Sequence, residues 1–88
     1  MIRRDGQRLL LAGAVTFATH VALREAAAAL VDDDSIVDWA AVDTVDSSAL
    51  SLLLTWRRRH GRAPAHQHVP AALAALAELY GIKDLLAL

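Results

Sequence analysis

The segment Val42–Gly61, VDTVDSSALSLLLTWRRRHG, constrains the fold more than any other part of the chain. An extended apolar stretch runs into an aspartate and two serines, and leucines at helical spacing follow at once. Asp and Ser favour a helix start because their side chains accept bonds from backbone N–H groups that have no partner within the helix. The spacing predicts a helix from about Ser47 to His60. Arg57–Arg59 suit the negative end of its dipole, and Gly61 suits the left-handed turn that ends it. At 100° per residue Ala49, Leu50, Leu52, Leu53, Leu54 and Trp56 fill a broad apolar arc. Ser47, Ser48, Ser51, Thr55, Arg58 and Arg59 fall on the other side. An arc that wide has to be covered by another layer, and the extended run before it supplies a strand for that layer.

No internal repeat is visible, and strands and helices alternate along the rest of the chain. Met1–Asp5 and Arg8–Ala12 are expected to form a hairpin with Asp5–Gly6 as its turn. Thr16 or Thr19 is expected to cap a helix running to about Leu30, with Leu23, Ala26, Ala27 and Leu30 as its buried stripe. Asp32–Asp34 is a polar loop, and SIVDWAAV is a buried strand. PAHQHV is a short strand. Pro70 then opens a third helix, with Leu73, Leu76 and Tyr80 inward and Gly81 as its stop. IKDLLAL closes the chain as a short helix or tail. Alternating strands and helices predict an α/β fold with a small, mixed, mostly parallel four-stranded sheet and three to four helices. With 88 residues, one domain over residues 1–88 is expected.

Composition removes several classes of function. The net charge of −1 argues against broad nucleic-acid binding, which needs a basic face. The absence of Cys excludes disulfides and thiolate metal sites and fits a reducing cytoplasm. Leu9–Val15 is far shorter than the ~20 apolar residues that span a bilayer. Asp5, Gly6 and Gln7 interrupt the basic-then-apolar start, so it is read as part of the fold and not as a leader. The 56% hydrophobic content is high for a small chain and leaves apolar surface for a partner.

Catalysis is not expected. No His is close in sequence to Ser47 or Ser48 to act as base, and no oxyanion motif or Gly-x-x-x-x-Gly-Lys phosphate loop is present. His66 and His68, two apart, are read as solvated side chains of an edge strand and not as metal ligands. Asp32–Asp34 lacks calcium-loop spacing. Arg57–Arg59 are read chiefly as a helix-end charge cluster. No metal and no cofactor is expected.

Three motifs in order resemble the STAS domain family. VDWAAVDTVDSSALSLLL resembles its central signature, a strand and loop leading into Asp-Ser-Ser-Gly-Leu at a helix start. HVPAALAALAELYGIKDLL resembles its C-terminal strand and helix, and LLLAGAVTFAT its second strand and the turn after it. Ala49 stands where the family has Gly, and Trp39, Ala40 and Ala41 replace a usual Leu-Ser-Gly. Ala49 keeps the helix and favours it.

The resemblance implies a non-catalytic accessory protein of one of two branches. Small STAS subunits of Mla-type phospholipid ABC transporters bind the cytoplasmic ATPase, with the position of Ser47 at that interface. Anti-sigma factor antagonists are phosphorylated on the second serine, here Ser48. The first branch is the main expectation, with the chain cytoplasmic and held at the inner membrane through the ATPase and its permease. Asp46 is then the helix cap. Ser47, Ser48, Ser51, Thr55 and Arg58 form the partner face, with Leu52 and Trp56 at the edge of the apolar arc as its apolar part. The alternative is a signalling switch phosphorylated on Ser48.

Overall fold

The computed structural model describes all of Met1–Leu88. The elements in chain order are β1 (Ile2–Asp5), β2 (Arg8–Val15), α1 (His20–Ala28), β3 (Ile36–Val45), α2 (Ser47–His60), β4 (Ala65–Gln67) and α3 (Ala71–Leu79). The sheet order is β1-β2-β3-β4. The hairpin β1–β2 is antiparallel, and β2–β3 and β3–β4 are parallel. This is the small, mixed, mostly parallel α/β sheet with three helices that the alternation predicts. The closing segment Ile82–Leu88 forms turns and not a fourth helix.

One apolar cluster holds the layers together. Leu9, Leu11 and Val15 from β2 and Val37 and Trp39 from β3 meet Leu23 and Ala27 of α1. They also meet Ala49, Leu50, Leu52, Leu53 and Trp56 of α2, Leu73 and Ala77 of α3, and Leu86. Strand alternation puts Leu9, Leu11, Val37 and Trp39 on one sheet face, the face the helices cover. Arg8, Leu10, Asp38 and Ala40 occupy the opposite face. The β2–β3 register shifts between Leu10 and Ala12 and again between Gly13 and Ala14. Gly13 sits there at φ 78, a left-handed conformation that glycine adopts without a Cβ clash.

Asp38 is on the outer face yet only 4% exposed, because Arg8 and His68 flank it. Its Oδ2 accepts from Arg8 Nη2 at 2.6 Å, and its Oδ1 accepts from the Ala40 N–H and lies 3.0 Å from His68 Nδ1. The Arg8 bond, then the Ala40 and His68 bonds, hold the Asp38 pKa down at about 2. A buried carboxylate is tolerated only with this degree of pairing.

Several expectations are corrected by the packing. Leu52 and Trp56 are 1% and 3% exposed, inside the core and away from any edge a partner can reach. The apolar arc of α2 is wide because the helix packs on the sheet with α1 and α3 beside it, so its rim is covered. Tyr80 is 58% exposed and not inward. Tyr80 keeps a helical backbone and bonds its N–H to the Leu76 carbonyl, so it stays in phase with Leu73, but at that end of α3 the face borders the open groove beside α2 and not the core. Ala26 is exposed, and Leu23 and Ala27 carry the buried stripe of α1. Thr19 occupies the cap position of α1, but its hydroxyl donates to the Ala14 carbonyl and accepts from the Thr16 N–H, so it makes no capping bond. Pro70 is the cap residue of α3, one position earlier than expected.

Of the two histidines read as solvated, His68 is exposed as expected and His66 is not. His66 is part-buried between Trp39 and the closing segment, and His68, past the end of β4 at φ 57, turns to Asp38. The acidic loop Asp32–Asp34 is tied down by charge. Asp32 meets Arg4 at 2.7 Å, Asp33 meets His60 at 2.7 Å, and Asp34 meets Arg62 at 3.6 Å.

Candidate functional site

The start of α2 is built around Asp46. Its backbone is extended (φ −137, ψ −172), and Ser47 begins the helix. Oδ1 accepts from the Ser48 N–H at 2.8 Å, the capping bond expected from the sequence. Oδ2 accepts from the Phe17 N–H at 3.0 Å, in the turn between β2 and α1. One carboxylate therefore fastens two loops that are 29 residues apart. The Phe17 bond, opposed by some burial and supported by the Ser48 backbone and hydroxyl, holds the Asp46 pKa below the usual carboxylate range. His20, in the first turn of α1, adds a weaker attraction there when protonated. Asp46 is thus ionised at neutral pH, and its stabilisation is complete above the usual carboxylate pKa and lost as pH falls through its lowered one.

Asp46→Ala is expected to cost about 1–2 kcal/mol, the upper part of the range for a lost helix cap, because the Phe17 bond is lost as well. Urea denaturation checks this as a lower midpoint at constant m-value. Asp46→Asn keeps an acceptor for Ser48 and should recover much of the loss.

Around this knot the surface is part hydroxyl and part apolar. Ser47 and Ser51 are exposed, Ser48 is half-buried, and Thr55 is half-buried with its hydroxyl donating to the Ser51 carbonyl at 3.0 Å. Arg58 is exposed at the far end of α2, where Gly61 at φ 78 closes the helix through its N–H to the Arg57 carbonyl. Ser47, Leu50, Ser51, Leu54, Tyr80 and Ile82 line an open groove of about 290 Å³ between α2 and the end of α3. Phe17 stands 84% exposed beside the Asp46 knot, with Val21 also exposed in the first turn of α1.

The structure therefore brings Ser47, Ser48 and Ser51 together on one face and extends that face to Thr55 and Arg58. It removes Leu52 and Trp56 from the face and replaces them with Phe17, Tyr80 and Ile82. These replacements carry a weak sequence signal. Phe17 is a lone aromatic in a Thr-rich turn and belongs to no periodic stripe. Tyr80 is in phase with Leu73, and that agreement of spacing conceals its exposure.

Comparison with known proteins comes to the same fold. The family model described as "Mlab, STAS domain" matches residues 1–87. No curated protein matches. Among solved structures, one described as "Crystal Structure Analysis of Mglu" superposes with TM-score 0.52 at 23% identity. It covers 81% of this chain, and this chain spans only 19% of that one. The unphosphorylated anti-sigma factor antagonist SpoIIAA superposes with TM-score 0.46 at 15% identity, over 93% of this chain and 98% of that one. The first of these likenesses speaks for the fold alone. The family match runs from the first strand through the closing segment, and on that basis the chain belongs to the STAS domain family.

Proposed function

We propose that the chain is a regulatory docking module that binds a protein partner through the start of α2 and the groove beside it, with Ser48 as its switch. STAS domains of this kind are non-enzymatic and act through contact with other proteins. The observation that supports the switch is the double use of Asp46. A phosphoryl group on Ser48 would lie at the positive end of the α2 dipole. It would also place negative charge against a carboxylate that the Phe17 and Ser48 bonds keep ionised. Repulsion at that point would loosen the tie between Asp46 and the Phe17 turn, and so move one wall of the docking face. Ser47, more exposed than Ser48, would serve as a contact and not as the switch.

Ser48→Asp is expected to weaken partner binding at least tenfold while Ser48→Ala binds normally. Titration calorimetry with the partner recovered from native cells checks this, and equal affinities for both variants would remove Ser48 from the mechanism. A substantial Ser48-phosphorylated fraction in the intact mass of the native protein supports the same reading.

A second reading is favoured by the description of the matching family. In it the chain is an accessory subunit that binds and stabilises the ATPase of a phospholipid-transporting ABC complex. Its location would then be the cytoplasm, against the inner membrane through that partner. No helix of the chain is long and apolar enough to cross a membrane, so attachment would have to come from the partner. Binding only the folded ATPase would stabilise it by mass action. Affinity purification from native membranes separates the two readings. An ABC ATPase with a permease supports the second, and a soluble protein kinase without a permease supports the first.

A further inference from the structure

His66 sits at the centre of a short relay. Trp39 Nε1–H donates to His66 Nδ1 at 3.0 Å, and His66 Nε2 lies 3.0 Å from the Leu86 carbonyl. Trp39 offers only a donor there and Leu86 only an acceptor. Together they require the neutral imidazole with its proton on Nε2. Both outer groups are anchored in the core, with Trp39 1% and Leu86 0% exposed. The rings of Trp39 and His66 lie 6.1 Å apart.

Apart from the His66 bond, the closing segment Ile82–Leu88 is joined to the fold by apolar packing. Its backbone bonds are local ones, from Leu86 N–H to Ile82, Ala87 N–H to Asp84 and Leu88 N–H to Lys83, plus Ile82 N–H to the Ala77 carbonyl at its start. Ala87 sits at φ 58 in the left-handed region, a strained place for a residue with a Cβ. Leu86 in the core, with Ile82 and Leu88 packed part-buried against it, supplies the apolar ties of the segment, and the His66 bond is its side-chain hydrogen bond to the rest of the fold.

We propose that His66 is a proton-operated latch on the segment Ile82–Leu88. A proton taken from solvent on Nδ1 turns an acceptor into a donor that faces the Trp39 N–H. The Trp39 bond is lost, the ring must leave its pocket to be hydrated, and the Leu86 carbonyl loses its partner. The segment then detaches while the sheet and the three helices stay folded.

Burial also lowers the His66 pKa, with the Leu86 bond opposing it, and no charged group is among the causes. The other titratable groups on the surrounding elements are Asp38 on β3, His68 past β4, Glu78 and Tyr80 on α3, His60 at the end of α2, and Lys83 and Asp84 in the segment itself. Asp38 is paired with Arg8 and His68 and titrates near 2, below the window that matters. For a histidine with a lowered folded pKa, the closed state is fully favoured above the ordinary value of about 6.5. It loses ground as pH falls from there towards the lowered value, by at most about tenfold in the opening equilibrium per pH unit. Ile82 also lines the α2–α3 groove, so opening would reshape it. That consequence rests on the docking reading, whereas the latch does not.

The test is amide hydrogen exchange on the isolated full chain from pH 7 to 5, corrected for the intrinsic rate at each pH. The expected result is loss of protection at Leu86 and Leu88 by about tenfold or more, with amides of β2 and β3 unchanged. His66→Gln has an acceptor oxygen and a donor nitrogen but no titration, and should lack the step. Unchanged protection in the native chain overturns the latch, and so does an equal loss across β2 and β3, which would make His66 a determinant of global stability only. The same step in His66→Gln also overturns it. If that variant does not fold, ring-nitrogen chemical shifts of native His66 decide. A proton on Nε2 at neutral pH and a transition matching the exchange step are expected, and any other tautomer or an unmatched transition refutes the relay.

Discussion

Trp56→Ala is expected to lower the unfolding free energy by about 3–5 kcal/mol, the range for truncating a large aromatic side chain in a packed core. Trp56 is 3% exposed and belongs to the cluster that joins the sheet to α2 and α3. A chain of 88 residues has roughly 4–13 kcal/mol of stability in total at typical values per residue. The single substitution thus removes a large share of it and can leave much of the population unfolded at 37 °C. Leu52→Ala, at 1% exposure, should follow at about 2–5 kcal/mol. Urea denaturation followed by far-ultraviolet circular dichroism measures both. A change within ±0.5 kcal/mol, the size normal for a surface position, would return these residues to the partner face.

Phe17→Ala and Tyr80→Ala should give the opposite pattern. Both rings project into solvent from turns, at either side of the α2 start, so removing them should leave stability within about 0.5 kcal/mol. Exposed aromatics flanking an apolar groove have the character of binding anchors, whose truncation typically costs 2 kcal/mol or more. Each variant is therefore expected to weaken the partner at least about 30-fold, measured by titration calorimetry with the protein recovered in the affinity purification. Ser47→Glu, between the two rings, should also weaken it. Normal affinity in both aromatic variants would place the docking face elsewhere on the domain.

Together the two sets of variants separate burial in the core from contact with the proposed partner. The sequence confuses these roles at Leu52 and Trp56. Helical periodicity assigns a direction around an axis, but exposure depends on how far the neighbouring layers extend. Here α3 and the sheet cover the whole apolar arc, and only Leu54 stays half-buried at its rim. Tyr80 shows the converse error. It keeps the spacing and the helical backbone of an inward residue, but the last turn of α3 borders the open groove and not the core, so its ring stays exposed.

The hairpin at Asp5–Gly6, the extent of α2 and its cap on Asp46 were all readable from the sequence, because each depends on neighbours within a few positions. A glycine, a cap residue or a run of leucines acts on its own backbone whatever surrounds it. The alternation of strands and helices likewise limited the sheet to a mixed, mostly parallel one. Tertiary structure alone decided the long-range pairings: Asp46 with Phe17, Asp38 with Arg8 and His68, and His66 between Trp39 and Leu86. Each joins residues 20 or more positions apart. Their energies come from burial and from the orientation of donor and acceptor, and both exist only once the layers have closed.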